Sequence, residues 1–201
     1  MHDLTSESQV KGELLLARVA YARVMKGGDL LKHVLAQLPA ADAGLLRGRI
    51  LPGRWYPRHL QLRLDEVLAS IALPLDRADM FIDLGRALAD VLLAASGREC
   101  IKRGVPQHFL EAVPRLYGAY HTVGTREVRV FGDSASMIRT HEPKNLVTAD
   151  HCWTVIGWLQ RGLELSGADI VLVTETSCRS NGARTCDYWC EWHVSGPTCW
   201  W

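Results

Sequence analysis

Four side chains able to hold a metal ion or carry thiol chemistry fall in the last third of the chain: Cys152, Glu175, Cys178 and Cys186. Three thiolates and a carboxylate can fill a tetrahedral shell completely, and a filled shell is structural rather than catalytic. Cys152 opens a predicted helix, where unpaired backbone amides and the helix dipole favour a thiolate. Glu175 and Cys178 close a predicted strand, and Cys186 opens the next one across the Asn181-Gly182 turn. A simple hairpin register sets Cys178 and Cys186 on opposite faces, so a shared metal requires a bulge or an irregular loop. Two other readings of the same residues stand beside it. Free cysteines are common small core residues, and Cys178 with Cys186 could form a redox pair if their thiol pKa values are depressed.

Other constellations carry less. Asp133, Ser134, Ser136 and His141 surround one turn, where Ser and Asp normally serve the turn itself; no catalytic residue is assigned. Asp65 and Glu66 are adjacent on a helix and diverge. Arg47, Arg49, Arg54, Arg58 and Arg63 cluster around Trp55 and Tyr56. They read as a solvated face with arginine stems packed on the aromatics. No phosphate-binding glycine loop or dinucleotide fingerprint is present. His108 and His121, near the last N-terminal helix, each read as a packed or solvent-tipped histidine. Trp189 and Trp192 share the last strand with Tyr188 and Cys190, giving it aromatic or sulfur surface on both faces, as in a central or covered strand. Trp158, Tyr188, Trp189 and Trp192 are the candidate ligand contacts. Trp200 and Trp201 are expected to fold over a groove or to anchor a partner, with Cys199 beside them.

The positioning elements follow from periodicity. Val10, Leu14, Ala17, Tyr21 and Val24 recur at helical steps up to Gly27-Gly28, and a short helix from about Leu30 to Leu38 is closed by Pro39. Pro57 suits a first helical residue before Leu60, Leu64, Val67, Leu68 and Ile71. That helix ends by Pro74. Phe81, Leu84, Leu88, Val91, Leu92 and Ala95 make the cleanest stripe, and Pro106 starts a further helix that Pro114 should bend or limit. After Gly124 the period shortens toward two, with a turn at Gly132-Asp133. A helix capped by Thr148 or Asp150 runs to Gly167. Asp169–Thr176 and Arg184–Val194 then form a second hairpin around Asn181-Gly182. The expectation is an α+β fold in which N-terminal helices pack on an antiparallel sheet of two hairpins separated by a helix. It forms one domain over 1–201, with a helical half at 1–122, the sheet at 123–195 and a tail at 196–201.

Composition narrows the function classes. The 201 residues carry 23 Lys+Arg against 22 Asp+Glu, so no global field gathers nucleic acid. No apolar run approaches ~20 residues, so no membrane span is expected. Six cysteines are too few for a disulfide scaffold, and Met1–Ser8 lacks the apolar core of a signal peptide. A cytoplasmic location is expected.

The segment Pro143–His193 resembles the C-terminal half of 4-vinyl reductase-like ligand-binding domains, of one broad fold group with heme–nitric-oxide-binding domains and small trafficking-complex subunits. The resemblance lies in His151-Cys152, Gly157-Trp158-Leu159-Gln160-Arg161-Gly162-Leu163, Glu175-Thr176-Ser177-Cys178, Gly182, Cys186 and Tyr188. Aromatic-sensing transcription activators with this domain hold zinc by Cys, Glu, Cys and Cys in that order. The resemblance thus implies structural zinc at Cys152, Glu175, Cys178 and Cys186. The N-terminal half is similar to a myxobacterial family of unknown function, through Gly27-Gly28 to Leu38-Pro39 and Trp55-Tyr56-Pro57. The resemblance to heme–nitric-oxide sensors makes His108 or His121 the candidate axial ligand for a heme, but the Tyr-x-Ser-x-Arg propionate clamp of those sensors is missing, so no heme is expected. Taken together, the expectation is a zinc-containing sensory or carrier module for a small apolar or aromatic molecule. It would be homodimeric through its helical half and act through a protein partner. The alternative is a non-enzymatic adaptor that dimerises and binds another protein; a tetrapyrrole vinyl reductase ranks third. An enclosed apolar cavity of roughly 300 Å³ or more would mark the ligand-binding reading.

Overall fold

The computed structural model describes residues 8–25, 28–71, 77–95 and 98–195. Gly27, Pro74, Cys199, Trp200, Trp201 and the first seven residues lie outside the described residues. Strand β1 (Gln9–Lys11) pairs antiparallel with β2 (Trp55–Pro57), Val10 opposite Tyr56. This ribbon departs from expectation: Val10 belongs to a strand, and Pro57 ends one rather than starting a helix. Between its strands run α1 (Gly12–Met25), α2 (Gly28–Gln37) and α3 (Ala40–Arg47). The last was not anticipated. Pro39, read as a stop, is also the N-cap of α3, because proline disfavours the helical conformation in the residue before it, not after it.

Helix α4 (Arg58–Ile71) follows β2, then α5 (Arg77–Ala95) and α6 (Pro106–Tyr120). Pro106 occupies the first helical position of α6, where a missing N–H costs nothing. The helix continues through Pro114, against the expected limit, since a proline costs the ladder one bond that surrounding packing can offset. Phe109, Leu110 and Val113 beside it are fully buried.

Strands β3 (Thr125–Val130) and β4 (Ala135–His141) form the first hairpin, helix α7 (Ala149–Leu165) intervenes, and β5 (Ile170–Ser177) and β6 (Cys186–His193) form the second. The sheet order is β3-β4-β6-β5, antiparallel throughout. β6 is central, as its two apolar faces predict. Tyr188, Cys190 and Trp192 face the core, while Trp189 lies on the opposite face with its ring centroid 5.0 Å from that of Phe131. The α+β expectation is met.

One hydrophobic cluster runs from Val10 to Trp192. At its centre α5 and α7 pack unusually close. A Cβ at Gly157 would overlap the Ile82 carbonyl, and one at Gly85 the Thr154 carbonyl. Two glycines on facing helices let the backbones touch. Ion pairs flank this seam: Arg77 with Asp150 at 2.7 Å, Arg86 with Glu164 at 2.7 Å, and Arg161 with Asp90 at 2.8 Å. Among the described residues no helix is long and apolar enough to cross a membrane.

Candidate functional site

The first turn of α7 is the pivot of the site. Thr148 caps it, its hydroxyl accepting from the His151 N–H at 3.2 Å. The next residue, Cys152, points into the sheet, while His151 faces α6 and the β4–α7 connection. Two different clusters thus hang from consecutive residues.

The first cluster gathers all four predicted ligands. The candidate donor atoms of Cys152, Glu175, Cys178 and Cys186 lie within 4.8 Å of one another. The irregularity that this grouping needs is present, as the β5–β6 register shifts between Glu175 and Ser177. A short 3₁₀ turn, Arg179–Asn181, then leads to Gly182 at φ 94°, a left-handed conformation glycine adopts without steric cost. Cys152 Sγ is 3.6 Å from Cys178 Sγ and 3.7 Å from Cys186 Sγ, far beyond a disulfide bond. A tetrahedral ion with metal–thiolate bonds of about 2.3 Å would space its sulfurs about 3.8 Å apart. Glu175 Oε1 is buried without a hydrogen-bond partner.

The thiols of the cluster differ in their electrostatic surroundings. Cys186, receiving hydrogen bonds from Cys152 and from the Arg179 N–H at 3.3 Å, is pulled down to about 7. Cys152 donates to it and, buried, is pushed well up.

The second cluster is an ion network that the sequence did not disclose. Arg58, Glu142 and His151 are buried together, Arg58 and Glu142 with side chains at 0% exposure. Arg58 Nη2 donates to both Glu142 oxygens at 3.3 Å, and the Tyr117 hydroxyl donates to Oε1. His151 Nε2 lies 3.3 Å from Glu142 Oε2, yet neither ring nitrogen of His151 makes a hydrogen bond among the described residues. Burial disfavours the Glu142 charge, but His151 and Arg58 outweigh it and hold the carboxyl well below its ordinary range. Arg58 Nη1 meets His121 Nδ1 at 3.1 Å. Arginine only donates, so Nδ1 must accept and the His121 proton sits on Nε2. Burial and Arg58 hold His121 well below the ordinary histidine value. Arg58, expected on a solvated basic face, is instead among the most buried side chains.

Beside this network lies a cavity of about 60 Å³ between the helices and β3. Its apolar walls are Leu14, Leu88, Leu92, Leu116, Val155 and Trp158, and its polar lining includes Arg18, Gln61, His121, Arg126 and His151. Gln61 is 1% exposed, and its Oε1 has no partner. Of the four expected ligand contacts only Trp158 lines it. Tyr188 packs at the cysteine cluster, Trp189 lies on the outer sheet face, and Trp192 borders an open groove. The cavity is well short of the roughly 300 Å³ expected for an organic-ligand pocket.

No protein-family model matches the chain, and no curated protein is similar to it. Solved structures are. An H-NOX protein from S. oneidensis in the Fe(II)NO ligation state superposes with a TM-score of 0.71 at 14% identity, covering 91% of this chain and 99% of that one. The fold is that of the H-NOX domain. Unliganded Fe(II) H-NOX from K. algicida gives a TM-score of 0.68 at 10% identity, over 92% of this chain and 97% of that one. A third, described by its heme redox potential and porphyrin distortion, gives 0.65 at 12%, over 90% of this chain and 99% of that one.

These H-NOX neighbours correct the cofactor expectation. Two of these neighbours are described in Fe(II) states and one by its heme, so structural zinc with heme excluded no longer stands as the cofactor reading. The donor chemistry around the cavity suits a heme in kind: His121 and His151 offer imidazoles, and Arg126 offers a cation. His108, the other axial candidate, is exposed and bonds to the Glu99 carbonyl at 3.2 Å. The space does not suit one. About 60 Å³ holds roughly four to six waters, at about 10–15 Å³ each, and a whole porphyrin enters only if the helices part.

Proposed function

We propose that this chain is a ligand-binding sensory or carrier module that takes a small, partly apolar molecule in the cavity lined by Trp158 and acts through a partner. One observation carries the reading. Two buried polar atoms without a partner, His151 Nδ1 and Gln61 Oε1, belong to residues that border a cavity whose apolar walls are largely leucine and tryptophan. A buried polar group left unpaired costs about 1–3 kcal/mol; the hydrogen bonds of an occupant remove that cost. Pocket sites generally combine apolar walls with a few convergent polar groups. The neighbours of this fold include proteins in a nitric-oxide-ligated state, which supports a sensory lineage. The sequence resemblance to vinyl reductase-like, aromatic-sensing domains supports it too.

The cluster of Cys152, Glu175, Cys178 and Cys186 belongs to this proposal as a closed centre for a thiophilic metal ion, tying the second hairpin to α7. Its sulfur spacing and the partnerless Glu175 oxygen support that role.

A second reading, a heme module, is favoured by the H-NOX neighbours and by two imidazoles at the cavity. Native mass spectrometry and absorbance of freshly purified protein, with thermal-shift titration of small apolar and aromatic compounds, separate the readings. The proposal expects saturable stabilisation by a small compound, abolished when Leu92→Trp fills the cavity. A stoichiometric Soret band selects the heme reading. No bound molecule, no stabilising compound and a more stable Leu92→Trp variant would overturn both.

A further inference from the structure

The charge around the cavity is unbalanced in one direction. No aspartate or glutamate lines it. Arg18 is answered by Asp65, at 2.7 and 3.1 Å, and Arg58 by Glu142 at 3.3 Å. Arg126 has no carboxylate partner among the described residues. Its guanidinium lies over the Tyr117 ring at 4.8 Å and near the Trp158 ring at 5.9 Å, and its Nε is buried without a hydrogen bond. A cation on aromatic faces with a buried, unused N–H is set to receive an anion, since charge-assisted hydrogen bonds from arginine to carboxylate are among the strongest available. His151, whose imidazole can donate, borders the same space. The remaining walls are apolar, and the volume limits the occupant to few atoms.

We infer that the cavity binds a short monocarboxylate, with its carboxylate on Arg126 and an apolar tail of about one to three carbons toward Leu88, Leu92 and Val155. The tail length follows from the space, about 60 Å³, which takes roughly four to six water-sized groups. This inference rests on the proposed ligand-binding function and names the class of ligand.

Calorimetric titration of the whole protein with butyrate, and with its neutral analogue butanamide, tests it. Butyrate is expected to bind saturably and at least tenfold more tightly than butanamide. Arg126→Gln should abolish that preference, Arg126→Lys should keep part of it, and Lys144→Gln, on the surface, should not change it. If butanamide binds as well as butyrate, or if Arg126→Gln keeps the preference, the inference fails while the ligand-binding function stands. If neither compound binds but an uncharged aromatic such as phenol does, the inference fails in the same way. If nothing binds and filling the cavity with Leu92→Trp only stabilises the fold, both fail. Because the comparison of butyrate with butanamide uses the unaltered chain, a misfolded Arg126 variant does not blunt the test.

Discussion

Glu142→Gln is the sharpest probe of the buried network. The substitution keeps the size of the side chain and an oxygen that can still accept from Tyr117 and Arg58. What it removes is the charge that answers a guanidinium at 0% exposure. Breaking a buried ion pair by removing one partner costs about 3–5 kcal/mol, because the remaining charge is left desolvated. For a domain of this length each kcal/mol lowers the melting temperature by about 2–4 °C, so the midpoint should fall by about 6–20 °C. Urea denaturation at pH 7, followed by circular dichroism, measures the change directly. Glu99→Gln is the control. Its partner Arg115 is 64% exposed and Glu99 is 67% exposed, and such a pair is worth at most about 1 kcal/mol. The double variant Arg58→Met with Glu142→Leu should recover much of the loss, since apolar replacements of a buried pair are often neutral. A Glu142→Gln protein within 1 kcal/mol of the parent would refute the account of Arg58 as a charge held in the core by its partner.

Acid sensitivity should follow from the same groups. Glu142 is held below the ordinary 4.5, so its contribution is complete above that pH and is lost progressively as pH falls toward its folded value. Glu142→Gln should flatten that part of the stability–pH curve. His121 is held well below the ordinary 6.5; folding disfavours its protonation, so stability should decline as pH falls through 6.5, and His121→Gln should remove the decline. Gly157→Ala places a methyl on the Ile82 carbonyl and forces α5 from α7. It should cost about 1–3 kcal/mol or more, the usual scale of overpacking, read as a lower urea midpoint. Titration with Co²⁺ should give intense thiolate-to-metal absorption with one ion per chain, weakened in Cys186→Ala. Absence of that band would remove the metal centre at the cysteines.

The regular half of this architecture was legible, and the reason is periodicity. Phe81, Leu84, Leu88 and Leu92 bury the face their spacing predicts, although Val91 of the same stripe is exposed, and the alternation around Asn181-Gly182 buries Tyr188, Cys190 and Trp192. The ribbon of β1 and β2 was not legible because three residues carry no period, and a proline that looks like a helix start also suits the end of an edge strand. The cysteines and Glu175 were found by their chemistry, although the bulge that lets them meet is set by pairing rather than composition. Arg58 and Asp65 read as surface residues, and Gln61 goes unremarked, for a different reason. They follow one another at helical steps on α4, beside Leu60, Leu64 and Leu68, and a polar stripe next to an apolar one reads as solvent. Its burial depends on partners more than forty residues away, Arg18 for Asp65 and Glu142 for Arg58, and no local pattern announces them.

That same distance gives the site its logic. Glu142 follows β4, Arg58 opens α4 and His121 caps the end of α6, so three elements distant in sequence are tied at one point by buried polar side chains. His151 joins the point from the first turn of α7, and Cys152, the next residue, joins the second hairpin to the same turn. The close backbone contact at Gly85 and Gly157 prevents α7 from tilting to relieve either cluster alone. A shift of that first turn by a fraction of an ångström must therefore be felt by both, because packed interiors pass strain on rather than absorb it.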